Sequence, residues 1–309
     1  MSRIETALSA ALDLSEAGAP PLLSAALRYA VFPGGARVRP RLCLAVSAAC
    51  GAAESPLAEA AAIAIELLHC ASLVHDDLPC FDDAALRRGR PALHRVYGEP
   101  LAVLTGDALL VLSFESVARV AGLAGERLAP LLLTLTQAAG APAGLVAGQA
   151  WESEPSVPLV RYHRAKTGCL FHAAVVAGVL AAGHDPGPWQ GVGWAIGEAY
   201  QVADDLLDAT GPAAAVGKPT RQDLRLGRPN AVHELGVSGA IARLRQLSTA
   251  AASQVPPSPG ADGLRALIGD IVTRLLPTTI ESSPQKSDAR SSLVADPKPA
   301  PASDQQVAA

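Results

Sequence analysis

The sequence predicts an all-α fold, a bundle of long antiparallel helices, on three observations. Half of the 309 residues are hydrophobic and only 4% are aromatic, and this composition, rich in alanine, favours closely packed helices over a β-sandwich. Apolar residues recur with helical period in successive segments that glycine or proline separates. No segment shows a persuasive strand alternation.

Glycine and proline bound the predicted helices in chain order. Helices over 4–15 and 22–31 are separated by the Gly18-Ala19-Pro20-Pro21 break. A third helix, over 39–50, is opened by Pro40, and a long fourth helix runs over 56–77 with a continuous apolar face. The later helices are predicted over 100–122, 128–138, 143–151, 157–183, 189–208, 231–255 and 263–276.

The chain divides into one predicted domain and a tail. Residues 1–276 form a single helical domain, which this length allows. Residues 277–309 are rich in proline, serine, alanine and charge, which predicts a disordered tail without a catalytic role.

Charge and hydropathy exclude several classes of protein. The net charge of −4 implies no nucleic-acid or anionic-membrane partner. No basic segment followed by an apolar one opens the chain, so we expect a cytoplasmic protein. The apolar stretches 60–74 and 171–183 are too short or too interrupted to span a bilayer, which predicts buried core helices and no membrane span.

The five cysteines show no CxxC spacing and lie mostly in apolar runs. We expect free thiols in the core rather than disulfides or a zinc site. They are Cys43, Cys50, Cys70, Cys80 and Cys169.

Four aspartates close the long fourth helix, and three arginines follow them. The aspartates are Asp76, Asp77, Asp82 and Asp83, and the arginines are Arg87, Arg88 and Arg90. Carboxylates near a helix C-terminus oppose the macrodipole, and Pro79 should end the helix here, so a cation must compensate. Mg²⁺ takes oxygen ligands and keeps substrate phosphates in its shell, while arginines suit the remaining phosphate oxygens. For a single motif, a solvated acidic turn is the better alternative.

A second acidic cluster, in QVADDLLD, changes that balance. Asp204, Asp205 and Asp208 again end an apolar helical pattern. Asp204 and Asp208 are four residues apart, so they share a helix face and repel each other by a few tenths of a kcal/mol. Two such clusters in one helical chain indicate a shared metal site.

The paired motifs resemble those of the trans-isoprenyl diphosphate synthases, the polyprenyl synthetase family of head-to-tail prenyltransferases. Further pieces follow in the order of that family and cover, with the aspartates, roughly residues 30–235. They are FPGGARVRP at 32–40, GDALL at 106–110, KTG at 166–168 and GKPTRQD at 217–223.

The resemblance implies a central cavity across which the two clusters face each other, with about three Mg²⁺ ions bridging them to the diphosphate of an allylic substrate. Asp76, Asp82 and Asp204 are then the direct ligands. Asp77, Asp205 and Asp208 serve as further ligands or hold the others in place. Neutralising the diphosphate makes it a leaving group, and an allylic cation forms.

The resemblance also implies two substrate pockets. The diphosphate of isopentenyl diphosphate is assigned to Gly35, Arg39, His69 and Arg88, and that of the allylic substrate to Arg87, Lys166 and Lys218. Thr167 and Gln201 match the positions whose oxygens face the cation. A lone histidine on an apolar helix is more often structural, but His69 lies two turns before Asp76 on nearly the same face.

One departure from the family concerns the isopentenyl diphosphate pocket. Ala36 stands where the family usually has lysine, which removes one cation. The adjacent Arg37 could compensate only in part, because neighbouring residues point in different directions. This substitution removes no metal ligand, which favours an active enzyme over a non-catalytic subunit.

Small side chains one turn below the first aspartate predict a long product. Ser72 and Ala71 lie about 6 to 7.5 Å deeper along the helix, where C15 synthases of similar motif type tend to have an aromatic residue. The resemblance, closest to the bacterial geranylgeranyl diphosphate synthases of carotenoid biosynthesis, therefore implies a C20 product, and also a homodimer. The alternatives are a C15 (farnesyl diphosphate) synthase, a non-catalytic subunit of a heteromeric synthase, and a class I terpene cyclase, against which the second diphosphate pocket argues.

Overall fold

The computed structural model describes residues 2–32, 34–210 and 229–273, and the all-α prediction is confirmed there. The helices are α1 Arg3–Glu16, α2 Pro21–Val31, α3 Val38–Ala49, α4 Pro56–Asp76, α5 Leu93–Tyr97, α6 Glu99–Ala118, α7 Ala121–Ala124, α8 Leu128–Ala139, α9 Leu145–Ala150, α10 Leu159–His163, α11 Cys169–Ala181, α12 Gln190–Thr210, α13 Ala231–Ser253 and α14 Ala261–Thr273. A hairpin of two-residue strands, β1 Leu86–Arg87 and β2 Arg90–Pro91, is the sheet of the described part.

Three features differ from the predicted helices. The helix expected over 100–122 is divided, because α6 ends at Ala118 and the short α7 follows. The helix expected over 157–183 contains a π-helical turn at Arg164–Gly168 between α10 and α11. α13 is kinked at Gly236, whose φ is 68°. Single π turns inside helices are frequent at functional sites, and this one carries the KTG motif.

Helix α4 is the central element of the bundle. Its N-terminus is capped by the Ser55 hydroxyl, which accepts a hydrogen bond from the Ala58 N–H, and Pro56 occupies the first turn. The helix is apolar on all sides and packs against α3, α6 and α11. A helix with that pattern is stable only when it is surrounded by other helices. Asp76 is the last residue of α4, so it lies where this central helix ends.

Buried side chains form three clusters that share these helices. One joins α3, α4, α8, α11 and α12, a second joins α1, α2, α4 and α6, and a third joins α12 to α13. α12 approaches the π-helical turn very closely: a Cβ on Gly197 would lie 2.5 Å from the Cα of Gly168. Only glycine permits this contact, which sets the second aspartate cluster beside the KTG motif.

The argument that the apolar segments are too short to span a bilayer does not hold for the length of α4. By length and composition alone α4 and α6 are each apolar enough to cross a membrane, with 21 and 20 residues. The sequence-based argument used the shorter stretch 60–74 and so underestimated the length of the helix. In α4, 78% of the most apolar window is buried inside the protein, as in the core helix of a bundle.

The cysteine prediction is right for four residues and wrong for one. All five are free thiols. Cys43, Cys50, Cys70 and Cys169 are buried, whereas Cys80 is exposed. Cys80 follows Pro79 in the turn between the aspartates, after the apolar helix has ended, and is not part of the core.

Candidate active site

The first aspartate cluster is built around the last residue of α4. Asp76 is half-buried, and the side-chain amide of Gln149 donates to its Oδ1 at 2.9 Å and to the carbonyl of Ser72 at 3.1 Å. The chain then turns back, so that the Asp82 N–H donates to the Asp76 carbonyl at 2.9 Å. Burial raises the pKa of Asp76, and nearby Lys166 opposes that rise. Both predicted ligands of this cluster, Asp76 and Asp82, therefore lie together.

Asp77 points elsewhere. It is 2% exposed, and its Oδ1 accepts from the Nε of Arg87 at 2.9 Å and from the Nη2 of the same guanidinium. Burial raises the pKa of Asp77 while the Arg87 hydrogen bond lowers it. The carboxylate is thus used to hold Arg87, ten residues further along the chain, at the edge of the site.

The hairpin after the aspartates presents the arginines. Arg88 and Gly89 have φ values of 53° and 75°, as in the two-residue turns that match the twist of a hairpin. A Cβ on Gly35 would lie 3.0 Å from Nη2 of Arg88. Glycine at position 35 therefore allows the guanidinium to lie against the loop before α3, as the predicted shared pocket requires.

Arg39 and His69 lie in the same cationic region. The guanidinium of Arg39 lies 4.5 Å from the ring centre of Phe171 and 5.4 Å from that of Tyr200, and its buried Nε has no hydrogen-bond partner in the described part of the chain. Burial lowers the pKa of His69 well below its usual range, and the charges of Arg39 and Arg88 lower it further. His69 is therefore neutral among guanidinium groups and can donate one N–H.

Arg37 is not available to replace the missing lysine, which corrects the expectation of partial compensation. Its backbone is left-handed, with φ 49°. Its side chain is buried and pairs with Glu66 at 2.6 Å and Glu5 at 2.8 Å, while Nη2 donates to the carbonyl of Val31 at 2.7 Å. The guanidinium thus joins α1 to α4 instead of facing the pocket.

Lys166 lies on the π-helical turn beside the first cluster. Its ammonium group pairs with Glu152 and lies 3.1 Å from the hydroxyl of Tyr162. α9 comes very close to this turn, because a Cβ on Gly148 would lie 2.5 Å from the Cα of Lys166. Gly148 thereby places both Gln149, the partner of Asp76, and the Glu152–Lys166 pair.

A chain of hydrogen bonds leads from the π-helical turn into α12. The Thr167 hydroxyl donates to Oε1 of Gln201 at 2.5 Å, and Nε2 of Gln201 donates to Oδ1 of Asp205 at 2.9 Å. The other oxygen of Asp205 accepts from the Ala231 N–H at 2.7 Å and lies 3.2 Å from Nε2 of His163. Thr167 and Gln201, the two residues predicted to face the cation, are therefore hydrogen-bonded to each other.

The second cluster divides as the first does. Asp204 is half-buried, whereas Asp205 is 1% and Asp208 is 5% exposed. α12 runs through Asp208, so Asp204 and Asp208 share a face as predicted. Asp205 is held by protein donors, as Asp77 is. In each motif, one aspartate of the adjacent pair is buried and hydrogen-bonded to protein donors, and the other is half-buried.

The predicted floor residues lie in different surroundings. Ser72 lies one helical turn before Asp76 on the same face, and Gln149 bonds to both. Ala71 is fully buried in the cluster that joins α1, α2, α4 and α6. The role of both in product length remains a prediction. Lys218 lies outside the described residues, within 211–228.

Four functional candidates were missed by sequence reasoning. The motif AGQAWESE contains two of them, in polar positions between apolar runs, but nothing local indicates that they contact residues of α4 and of the π-helical turn. They are Gln149, Glu152, Tyr162 and His163.

The accessible aspartates fit a hard divalent cation. Their donors are carboxylate oxygens, which Mg²⁺ prefers. Burial and the neighbouring charges of Glu152 and Asp82 raise the pKa of Asp76, so the region carries negative charge that a cation would offset. In the described residues, no group of three or more His, Cys, Asp and Glu side chains is already gathered into a metal site.

Comparison with known proteins gives a consistent result. The family described as polyprenyl synthetase matches residues 20–254. The chain is 50% identical to geranylgeranyl diphosphate synthase of Cereibacter sphaeroides, over 90% of this chain and 97% of that one. It is 51% identical to geranylgeranyl diphosphate synthase of Rhodobacter capsulatus, over 86% and 92%. A geranyltransferase of Helicobacter pylori, solved in complex with magnesium and isoprenyl diphosphate, superposes with a TM-score of 0.72 at 30% identity and covers 89% of this chain and 99% of its own.

Proposed function

This chain belongs to the polyprenyl synthetase family, and on that premise we propose that it condenses isopentenyl diphosphate with allylic diphosphates to geranylgeranyl diphosphate, C20. It is a prenyltransferase, and its relatives of 50% and 51% identity are named geranylgeranyl diphosphate synthases. The sequence-based predictions of family and enzyme class are confirmed by these comparisons.

One observation carries the assignment of the site: Lys166 and Thr167 connect the two aspartate clusters. Lys166 lies near enough to Asp76 to oppose the rise in its pKa. Thr167 bonds to Gln201, three residues before Asp204. Two carboxylate clusters, with an ammonium group near the first of them, suit a substrate that brings both negative charge and bound metal.

The allylic diphosphate is held at its charged end. Lys166 and Arg87 donate to its oxygens, and Lys218 joins them. Mg²⁺, of which we infer three ions, would be held by Asp76, Asp82 and Asp204 and would neutralise the departing diphosphate. Asp77 keeps Arg87 in place through their ion pair. Asp205 and Asp208 hold the second cluster in position.

The bond from the allylic C1 to oxygen breaks, and its electron pair leaves with the diphosphate. Thr167 and Gln201 present oxygen lone pairs to the cation that remains; their mutual hydrogen bond fixes both orientations. The C4 carbon of isopentenyl diphosphate, held by Arg39, His69 and Arg88, then attacks the allylic carbon. The adduct carries its positive charge at C3 of the isopentenyl group, and transfer of a proton from C2 to the released diphosphate restores a double bond.

The size of the product follows from the depth of the cavity beside α4. Ser72, with its small side chain, lies directly below Asp76 on the same helix face. A growing tail that passes this point can extend further, and this supports C20 over C15.

We also infer a homodimer in the cytoplasm. Leu104 and Val111, two turns apart on α6, are 55% and 66% exposed, so they form an apolar face that a second copy of the chain would cover. α6 is an outer helix, with only 44% of its most apolar window buried.

The deciding experiment incubates the pure protein with Mg²⁺, radiolabelled isopentenyl diphosphate and, separately, C5, C10 and C15 allylic diphosphates, and then sizes the products. We expect C20 from each starter. A stop at C15 would keep the reaction and refute the product length. No elongation with any starter would favour the non-catalytic subunit, and cyclic hydrocarbons without use of isopentenyl diphosphate would favour a terpene cyclase.

Two variants serve as controls in this assay. Asp76→Ala or Asp204→Ala should abolish turnover while the far-UV circular dichroism spectrum stays helical, because the metal would lose a ligand. Normal steady-state rates in either variant would refute the proposed mechanism.

A further inference from the structure

The proposed pocket for isopentenyl diphosphate has one positively charged side chain fewer than is usual in the family. Ala36 has no charge, and the guanidinium of Arg37 is buried between Glu5 and Glu66. His69 is neutral in its cationic surroundings. Arg39 and Arg88 are then the charged groups that the family assignment leaves for a diphosphate with two to three negative charges.

The hairpin of β1 and β2 brings a further arginine to this region. Arg87 and Arg90 are directly paired across the strands, and like charges in that position repel each other. Asp77 compensates Arg87. In the described part of the chain no carboxylate lies within ion-pair distance of Arg90, so its charge remains available to an anion.

Two contacts hold Arg90 at the C-terminal end of α2, before the loop that carries Ala36. Its Nη1 donates to the carbonyl of Phe32 at 2.8 Å, and its guanidinium lies 3.9 Å from the ring centre of Tyr29. Arg88 lies against Gly35 in the same loop. The hairpin therefore brings Arg90 to Phe32 and Arg88 to Gly35, the residue before the position from which the usual lysine would extend.

A small cleft lies between this hairpin, α2 and α4. Its polar wall has three arginines, Arg87, Arg88 and Arg90, against the single carboxylate of Asp77. Its other wall is largely apolar, with Leu73 and Val74 from α4. Partly buried positive charge without a counter-charge is unfavourable, and a diphosphate at the cleft would offset it.

We propose that Arg90 is a binding residue for isopentenyl diphosphate and supplies the cation that Ala36 does not. The Phe32 carbonyl and the Tyr29 ring hold the guanidinium, while its Nε and Nη2 remain free to donate to phosphate oxygens. This inference rests on the proposed function, because it assigns a role in that reaction.

The test measures steady-state constants of the full-length protein with Arg90→Gln. Glutamine keeps an N–H donor for the Phe32 carbonyl and loses the charge. KM for isopentenyl diphosphate should rise about tenfold, because one charge-assisted hydrogen bond is lost. kcat and KM for farnesyl diphosphate should stay within about twofold, as expected when ground-state and transition-state binding are lost equally.

A rescue and a matched control complete the design. Adding Ala36→Lys to Arg90→Gln should recover most of the lost affinity for isopentenyl diphosphate, whereas Ala36→Lys alone should change KM little. Arg41→Leu removes an exposed arginine from the same end of α3 and should leave all constants unchanged. If Arg41→Leu changes these constants as Arg90→Gln does, the effect comes from the overall positive charge of the surface and not from Arg90 itself. The proposal then fails.

Three further results would overturn the inference. One is an unchanged KM for isopentenyl diphosphate in folded Arg90→Gln. Another is an equal rise in KM for both substrates, which would mean that Arg90 only supports the hairpin. If Arg90→Gln does not fold, Ala36→Lys alone decides: a tenfold fall in KM would show that the lysine position was still unfilled. Absence of turnover in the unmodified protein would instead refute the proposed function, before any variant is compared.

Discussion

At the scale of single residues, the decisive property of this protein is which charged residues of each motif form ion pairs within the protein. Asp77 and Arg37 both come from motifs that indicate substrate or metal binding. Asp77 is committed to Arg87, and Arg37 to Glu66 and Glu5. Asp76, which precedes Asp77, and Arg39, two residues after Arg37, are the members of the same motifs that remain for the proposed chemistry. Helix rotation and one left-handed residue separate the two roles.

The Arg37–Glu66 pair should make a large contribution to stability. Arg37→Leu would leave the buried Glu66 carboxylate, 1% exposed, without its cation. Removing one partner of a buried pair costs about 3–5 kcal/mol. Urea unfolding followed by circular dichroism would give the change in free energy of unfolding.

An exposed arginine provides the comparison for that measurement. Arg28 pairs with Asp13 and Glu16 at the surface between α1 and α2, where the loss of an ion pair costs about 1 kcal/mol or less. If Arg28→Leu and Arg37→Leu lower the free energy of unfolding equally, the buried pair has no special role.

At the scale of elements, the contact of α9 with the π-helical turn organises the site. It places Gln149 on Asp76 and Glu152 on Lys166. Each bond joins two separate segments of the chain. The local sequence of either segment alone therefore does not determine the position of the bonded side chains. The catalytic geometry therefore depends on how closely two backbones approach.

Gly148→Val should lower kcat by tenfold or more, on the order expected when a reacting group is displaced by about 1 Å. The added side chain cannot fit, because even its Cβ would lie 2.5 Å from the Cα of Lys166. Steady-state kinetics at saturating substrates would measure the loss. Gly122→Ala is the control, since a Cβ there has nothing within 4 Å; equal losses in both variants would contradict the argument.

The proposed floor for the growing chain can be tested at two positions of α4. Ser72→Phe fills the face below Asp76 and should shorten the product from C20 toward C15. Ala71→Tyr is predicted to act in the same direction, but Ala71 is fully buried among other side chains, so overpacking should also lower the melting temperature. Chromatography of the dephosphorylated products would show the chain length, and C20 from both variants would place the barrier elsewhere.

At the scale of the whole molecule, the apolar face of α6 predicts the state of assembly. Leu104→Glu combined with Val111→Glu should convert a dimer to a monomer, because charges would be buried in the interface. Sedimentation velocity gives the mass directly. Leu22→Glu changes a leucine on α2 that is 67% exposed and should leave the mass unchanged. A monomeric unmodified protein would refute the homodimer.

Much of the fold could be predicted from the sequence, and less of the site. Helices such as α4 are encoded locally, by apolar period and by proline at the start. The hairpin was not predicted, since each strand has only two residues. The choice between Asp76 and Asp77 depends on Arg87, and that between Asp204 and Asp205 on Ala231. Such partners are fixed by packing between helices, which no local pattern records.

The hydrogen bond from the Ala231 N–H to Asp205 closes a ring of chain, because the two residues are 26 apart in sequence. The stretch of chain between these two residues therefore starts and ends at the second aspartate cluster. Part of the entropy lost when a loop is closed has then already been spent in folding. Asp205 in this way acts on the second cluster through the statistics of the chain as well as through its own hydrogen bonds.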